Sequence, residues 1–161
     1  MYTFKTEEEI INSAKSIMEK SFKETGCLID TVNASGEYFQ LRLANNEREV
    51  FSVMFLNAKH QMIACEDLFF GTVNGASVYP REVLKRAMHH NAVAVVLAHN
   101  HPSGNTEPST ADKVITERLK SLLEVVDVNL LDHVIVSPLG WLSFAEGGIL
   151  HKTQEQPHLV N

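Results

Sequence analysis

Hydrophobic positions along the chain follow two periods, and the switches between them mark out the elements. From Ile10 to Phe22 the apolar residues Ile10, Ala14, Ile17, Met18 and Phe22 recur at helical spacing. Thr6 and Glu9 form a capping box ahead of them and Thr25-Gly26 follows, so an amphipathic helix is expected over about residues 7 to 24. Residues 28 to 48 carry a weaker pattern, in which Asn33-Ala34-Ser35-Gly36 reads as a turn and Tyr38 to Leu43 as a short strand or helix. A soft boundary falls here, between an N-terminal helical extension, 1–38, and a main domain, 39–161.

Beyond it the strands begin. Glu49 to Leu56 reads as a strand, Asn57-Ala58-Lys59-His60 as a turn, and Gln61 to Phe70 as the hairpin partner. Pro80 suits the first turn of a helix with Val83, Leu84, Ala87 and Met88 on its inner face. Ala92 to Ala98 is a continuous apolar run, as expected of a strand buried on both faces. Ser109 starts another helix, with Val114, Leu119, Leu122 and Leu123 as buried candidates. Val128 to Val136 is a further strand, Gly140 to Phe144 a short last one, and the tail from Lys152 frays. Alternating strands and helices predict an α/β domain with a mixed sheet in two or three layers.

Composition changes this picture little. With 44% hydrophobic and 21% charged residues, the 161-residue chain fits one soluble globular domain with a small appendage. No apolar run approaches ~20 residues, so no membrane-crossing helix is expected. The acidic start, Met1 to Glu9, lacks the apolar stretch of a secretory signal. Cys27 and Cys65 stand apart from each other and from any Cys-x-x-Cys pattern, which reads as reduced thiols in a cytoplasmic protein. A net charge of -6 withholds the positive field that drives non-specific nucleic-acid binding. Arg81, Lys85 and Arg86 with His89 and His90, and Arg118 with Lys120, read as solvated helix faces.

The chemistry concentrates after the apolar run, in Ala98-His99-Asn100-His101-Pro102-Ser103-Gly104. Side chains two apart on an extended chain leave the same face, so both imidazoles point to one place. Catalytic zinc takes three protein ligands and keeps a fourth position for water. Asp112, held at the first turn of the helix that Ser109 opens, is the obvious third donor. A plainer account stands beside this one: Ser109 and Asp112 make an ordinary capping box, and two nearby histidines arise by chance.

The wider pattern resembles a known family. His99-x-His101-Pro102 followed by Ser109-x-x-Asp112 is similar to the JAMM motif of the JAB1/MPN metalloproteases. Pro102-Ser103-Gly104 with Glu107-Pro108-Ser109 resembles its bacterial RadC-like branch. Gly71-Thr72, Pro80-Arg81-Glu82, Asn91-Ala92 and Leu131 to Val136 extend the likeness over about residues 39 to 151. Longer RadC proteins carry helix-hairpin-helix material upstream, and this chain looks like the short stand-alone form of mobile elements and prophages. The resemblance implies a JAB/MPN-like, cytidine-deaminase-like mixed sheet flanked by helices.

It also implies one zinc ion on His99, His101 and Asp112, with the pKa of its water brought from ~15.7 toward ~7. The family needs an upstream glutamate as general base. Glu49 and Glu66 are the candidates, and the resemblance favours Glu49, since the strand Glu49-x-x-Ser52-x-Met54 begins where the family's glutamate starts its first core strand. Ser109 would donate to the oxyanion, an interaction typically worth ~3–4 kcal/mol, while still capping its helix. The implied activity is that of a peptidase or isopeptidase with an unidentified substrate, and a homodimer is left open. The competing reading is a DNA repair or recombination accessory protein acting through a partner, since no nucleic-acid-reading module is present. A degenerate binding domain is opposed by the intact ligands, and a zinc deaminase by the missing His-x-Glu and Pro-Cys-x-x-Cys.

Outside the motif, Asp132-His133 is a polar pair in an apolar strand, expected to make a buried hydrogen bond or to contact a ligating histidine. Arg81 is expected to pair with a carboxylate, His89 and His90 to complement a helix dipole, and Trp141 to lie in the core.

Overall fold

A computed structural model describes residues 6–25, 32–71 and 77–150. Helices α1 (Glu7–Thr25) and α2 (Val32–Leu43) come first, then the hairpin β1 (Val50–Leu56) and β2 (Met62–Phe70). Helix α3 (Pro80–His89), β3 (Ala94–Asn100), α4 (Thr110–Val125), β4 (Asn129–Ser137) and β5 (Gly140–Ser143) complete the chain. The sheet order is β2-β1-β3-β4-β5. Only β3 and β4 are parallel, with α4 as the crossover between them.

Both faces of the sheet are covered, which makes three layers. On one face Phe51, Val53, Phe55, Val95, Leu97 and Ile135 pack with Val83 and Ala87 of α3 and Leu119 and Leu123 of α4. Full burial of each of these two leucines is worth about 1.5–3 kcal/mol. On the other face Met54, Leu56, Val96, Ala98 and Val134 pack with Phe22 of α1 and Tyr38, Phe39 and Leu43 of α2. Neighbouring residues of β1 and β3 thus enter opposite cores, which accounts for the unbroken apolar run in β3.

Three expectations are corrected. Asn33 to Gly36 is not a turn but the opening of α2, and Gly36 is needed there for close approach. A Cβ at Gly36 would lie 2.2 Å from the Trp141 ring. The boundary expected between residues 38 and 39 falls inside this helix, between two residues that are both fully buried. Met88 and Val114, expected on inner faces, are 57% and 63% exposed. The helices turn Val83 and Ala87, and Leu119 and Leu123, to the sheet instead. Cys65 is a free thiol whose pKa burial pushes up to about 12. Cys27, Thr72 and the tail from His151 lie outside the described residues.

Candidate metal centre

His99 closes β3 one residue before its end, and His101 follows directly after it. The register sets Phe51 opposite His99, and the two rings stack at 6.0 Å. Helix α4 begins at the same carboxyl edge of the parallel pair, where open α/β sheets place their ligands. Asp112 belongs to the stripe Asp112, Thr116, Leu119, Leu123, whose spacing turns all four toward the sheet. The capping box orients the carboxylate: Ser109 N–H donates to Asp112 Oδ2 at 2.9 Å, and Asp112 N–H donates to Ser109 Oγ at 3.0 Å.

These elements bring the donor groups of three residues together. His99 Nε2 and His101 Nε2 are 2.9 Å apart, with Asp112 Oδ1 at 3.3 Å from the first and Oδ2 at 3.2 Å from the second. Zinc with bonds of ~2.0–2.1 Å separates tetrahedral ligand atoms by about 3.3 Å, so the set fits such an ion. It is the one cluster of that kind among the described residues. The donor chemistry fits too. His101 Nδ1–H donates to the Asn105 carbonyl at 2.7 Å, which leaves a lone pair at Nε2 pointing at a carboxylate. Two acceptors aimed at one another need either a proton or a metal ion between them.

The electrostatics agree. Burial opposes ionisation of Asp112, but the neighbouring His101 and His99 outweigh it and hold the carboxyl well below the usual range. The Asp112 hydrogen bond raises His101 against the effect of burial, and the charge of Glu49 adds to the rise. His133, wholly buried, is pushed well below its ordinary value by burial and then by His99, so it is neutral.

Glu49 is half-buried and immediately precedes β1, with its carbonyl accepting from Gly71 N–H at 2.8 Å. Two residues before Phe51 on an extended chain, it shares the His99 side of the sheet, toward His101. Glu66 is elsewhere. It pairs with Val53 in the sheet, and its carboxylate is gripped by Arg86 at 2.8 and 2.7 Å and by His90 at 3.1 Å. The Arg86 hydrogen bond lowers its pKa against burial. His90 therefore does more than face a dipole: it completes this cluster and packs on Phe55 at 4.8 Å.

Both members of Asp132-His133 are buried because both faces of the sheet are covered, and a change of phase in β4 decides which face each takes. The register slips between Val95 and Val96, leaving Leu131 without an opposite residue. Leu130 and His133 consequently share one face and Asp132 takes the other. Asp132 accepts from Ser143 Oγ at 2.5 Å, Ala145 N–H at 3.0 Å and His133 N–H at 2.7 Å, anchoring the turn after β5. His133 Nε2 lies 2.8 Å from His99 Nδ1.

Two contributors escape a motif reading. Asn100, between the two histidines and on the opposite face, is 1% exposed. Its amide accepts from Val50 N–H at 2.7 Å and donates to the carbonyls of Arg48 at 2.9 Å and Asn46 at 3.2 Å. It thereby fixes the segment that carries Glu49. Thr116 is the second, reaching His133 Nδ1 at 2.6 Å. Their signal is a polar residue in a buried stripe, since such a group must find partners.

Fold and site together define an α/β domain with a His-His-Asp cluster at the carboxyl edge of its parallel strand pair. The chain belongs to the RadC-like JAB domain family, whose description residues 29–149 match. It is 48% identical over 144 residues to UPF0758 protein YeeS of Escherichia coli (strain K12), covering 89% of this chain and 97% of that one. UPF0758 protein YfjY of the same organism is 44% identical over 145 residues, 90% of this chain and 91% of that one. UPF0758 protein Smlt0399 of Stenotrophomonas maltophilia (strain K279a) is 55% identical over 121 residues, 75% of this chain. The match spans 52% of that relative, about half its length. No helix among the described residues is long and apolar enough to cross a membrane.

Proposed function

We propose that the chain is a zinc-dependent hydrolase of amide bonds, a peptidase or isopeptidase. The observation that carries the reading is the convergence of His99, His101 and Asp112 donor atoms to within 3.3 Å of their neighbours. These three would hold the ion, which when bound supplies Lewis acidity and brings the pKa of water toward ~7. Glu49 acts as general base: it takes the proton of the attacking water and passes it to the leaving amine. Its charge acts on His101, which supports this role, while the Arg86 and His90 contacts of Glu66 leave that carboxylate committed. The Ser109 cap uses the side-chain oxygen as acceptor, so the hydroxyl hydrogen is available to the oxyanion. The partner is a peptide or isopeptide in the cytoplasm, and direct nucleic-acid contact is disfavoured by the charge of -6.

Metal analysis of purified protein tests the ligands. Stoichiometric zinc is expected in the wild type and is lost in His101→Ala and Asp112→Ala. Zinc retained by either folded variant removes that residue from the ligand set. Glu49→Gln is expected to keep zinc and to lose hydrolysis of a peptide library by 100-fold or more, within the range of ~10²–10⁴ for general acid–base catalysis. Unchanged turnover would move the base elsewhere.

A further inference from the structure

Thr116 lies in the buried stripe of α4 at 1% exposure, one turn beyond Asp112. Its hydroxyl donates to the Asp112 carbonyl at 2.6 Å, so its single hydrogen is used. His133 Nδ1 approaches the same oxygen at 2.6 Å, and the only hydrogen available to that contact is on the ring. A neutral imidazole protonated at Nδ1 presents a lone pair at Nε2. That lone pair faces His99 Nδ1 at 2.8 Å, so His99 in turn carries its hydrogen at Nδ1. What remains is a lone pair at His99 Nε2, aimed at His101 and Asp112.

We infer that Thr116 and His133 are positioning residues that set the tautomer of His99 and so keep its Nε2 free to ligate metal, an inference that rests on the zinc reading of the cluster. The contrast with His101 explains why two residues are used. A backbone carbonyl only accepts, so Asn105 fixes the His101 tautomer unaided. A histidine can accept or donate, so His133 is defined only once Thr116 has spent its own hydrogen. The path begins on the backbone of one ligand, Asp112, and ends on the ring of another, which couples helix α4 to strand β3. Phe144 stacked on His133 at 4.7 Å and Phe51 on His99 at 6.0 Å hinder the ring flips that would undo it.

Long-range ¹⁵N–¹H spectra of histidine-labelled, metal-free protein at mildly alkaline pH read the tautomers directly. His99 and His133 are both expected as Nδ1–H. Thr116→Val keeps the side-chain shape without the hydroxyl. It is expected to convert His133 to a mixture of tautomers and to weaken the affinity for zinc alone by about 10–100-fold, the usual cost of losing such support. Thr116→Ser restores both. An Nε2–H tautomer on His133 in the wild type overturns the inference, and so does a Thr116→Val protein with tautomers and zinc affinity unchanged. Should Thr116→Val fail to fold, the wild-type spectrum decides alone. Absence of zinc binding by the wild type defeats the zinc reading instead, while the metal-free spectra still judge the relay.

Discussion

Asn100 is the residue on which the two halves of the site depend most. Its neighbours His99 and His101 face Asp112 in the candidate metal centre, while its own amide meets the Asn46–Val50 segment from the other side of the strand. Asn100→Ala strands the Val50 N–H, and a buried donor left without a partner costs about 1–3 kcal/mol. The expected outcome is a loss of that size in urea unfolding, with zinc content kept and hydrolysis reduced at least tenfold, because Glu49 is no longer held. Hydrolysis at the wild-type rate would separate the segment from catalysis. The pH response of His101 and Asp112 is also a residue-scale property. Without metal, the stabilisation from His101, raised chiefly by Asp112, is full below 6.5 and is lost as pH rises through the raised value. That from Asp112 is full above 3.8 and is lost only as pH falls through its lowered value. The metal-free pair is therefore most stabilising between 3.8 and 6.5. Zinc has to displace the His101 proton, so its rise in melting temperature should be larger near pH ~8 than near pH ~6. Equal shifts at both, by thermal scanning with and without zinc, would count against His101 as a ligand.

Among the elements, those with a strong period were legible in the sequence and those defined by a neighbour were not. β1 and β2 are bounded by Asn57 to Gln61, and β3 by its apolar run, so they follow from local pattern. His99, His101 and Asp112 were legible because strand period and capping box each fix a direction locally. Helix α2 was hidden because Asn33, Ser35 and Gly36 favour turns in isolation, and only packing against β5 selects the helix. The register slip at Leu131 was hidden for a similar reason, since it exists only relative to β3. Thr116 and His133 are 17 residues apart and meet only after α4 docks. The α2–β5 contact makes its own prediction. Gly36→Ala gains up to about 1 kcal/mol in helix propensity, yet its methyl must displace the Trp141 ring, an overpacking cost of about 1–3 kcal/mol. The variant should be net destabilised in urea, and pairing it with Trp141→Leu should recover most of the loss. A cost unchanged in the double variant would place the strain elsewhere.

At the scale of the whole molecule, the question is whether the N-terminal helices are an appendage or half of the fold. The packing answers through two independent features. Phe22 of α1 is fully buried against Tyr38, with ring centres 5.4 Å apart, in the core that also holds Met54, Val96 and Val134. A polar network crosses the same interface: Tyr38 hydroxyl donates to Glu19 at 2.8 Å, and Arg42 donates to Asp67 at 3.1 Å and to the Cys65 carbonyl at 3.2 Å. Ser52 of β1 donates to the same Asp67 oxygen at 2.5 Å. The strand that presents His99 has one face in each core, so losing either layer loosens the His-His-Asp cluster as well. Phe22→Ala should therefore cost about 3–5 kcal/mol, as for a buried aromatic, although it lies on the face of the sheet away from the histidines. The protein's single tryptophan, Trp141, reports the α2–β5 contact, while far-ultraviolet circular dichroism reports all elements. If helices and sheet form one cooperative unit, the two signals lose their native values at the same urea concentration, in the wild type and in Phe22→Ala alike. An early tryptophan transition, with most dichroism retained, would make the N-terminal helices a separable layer over a sheet that folds without them.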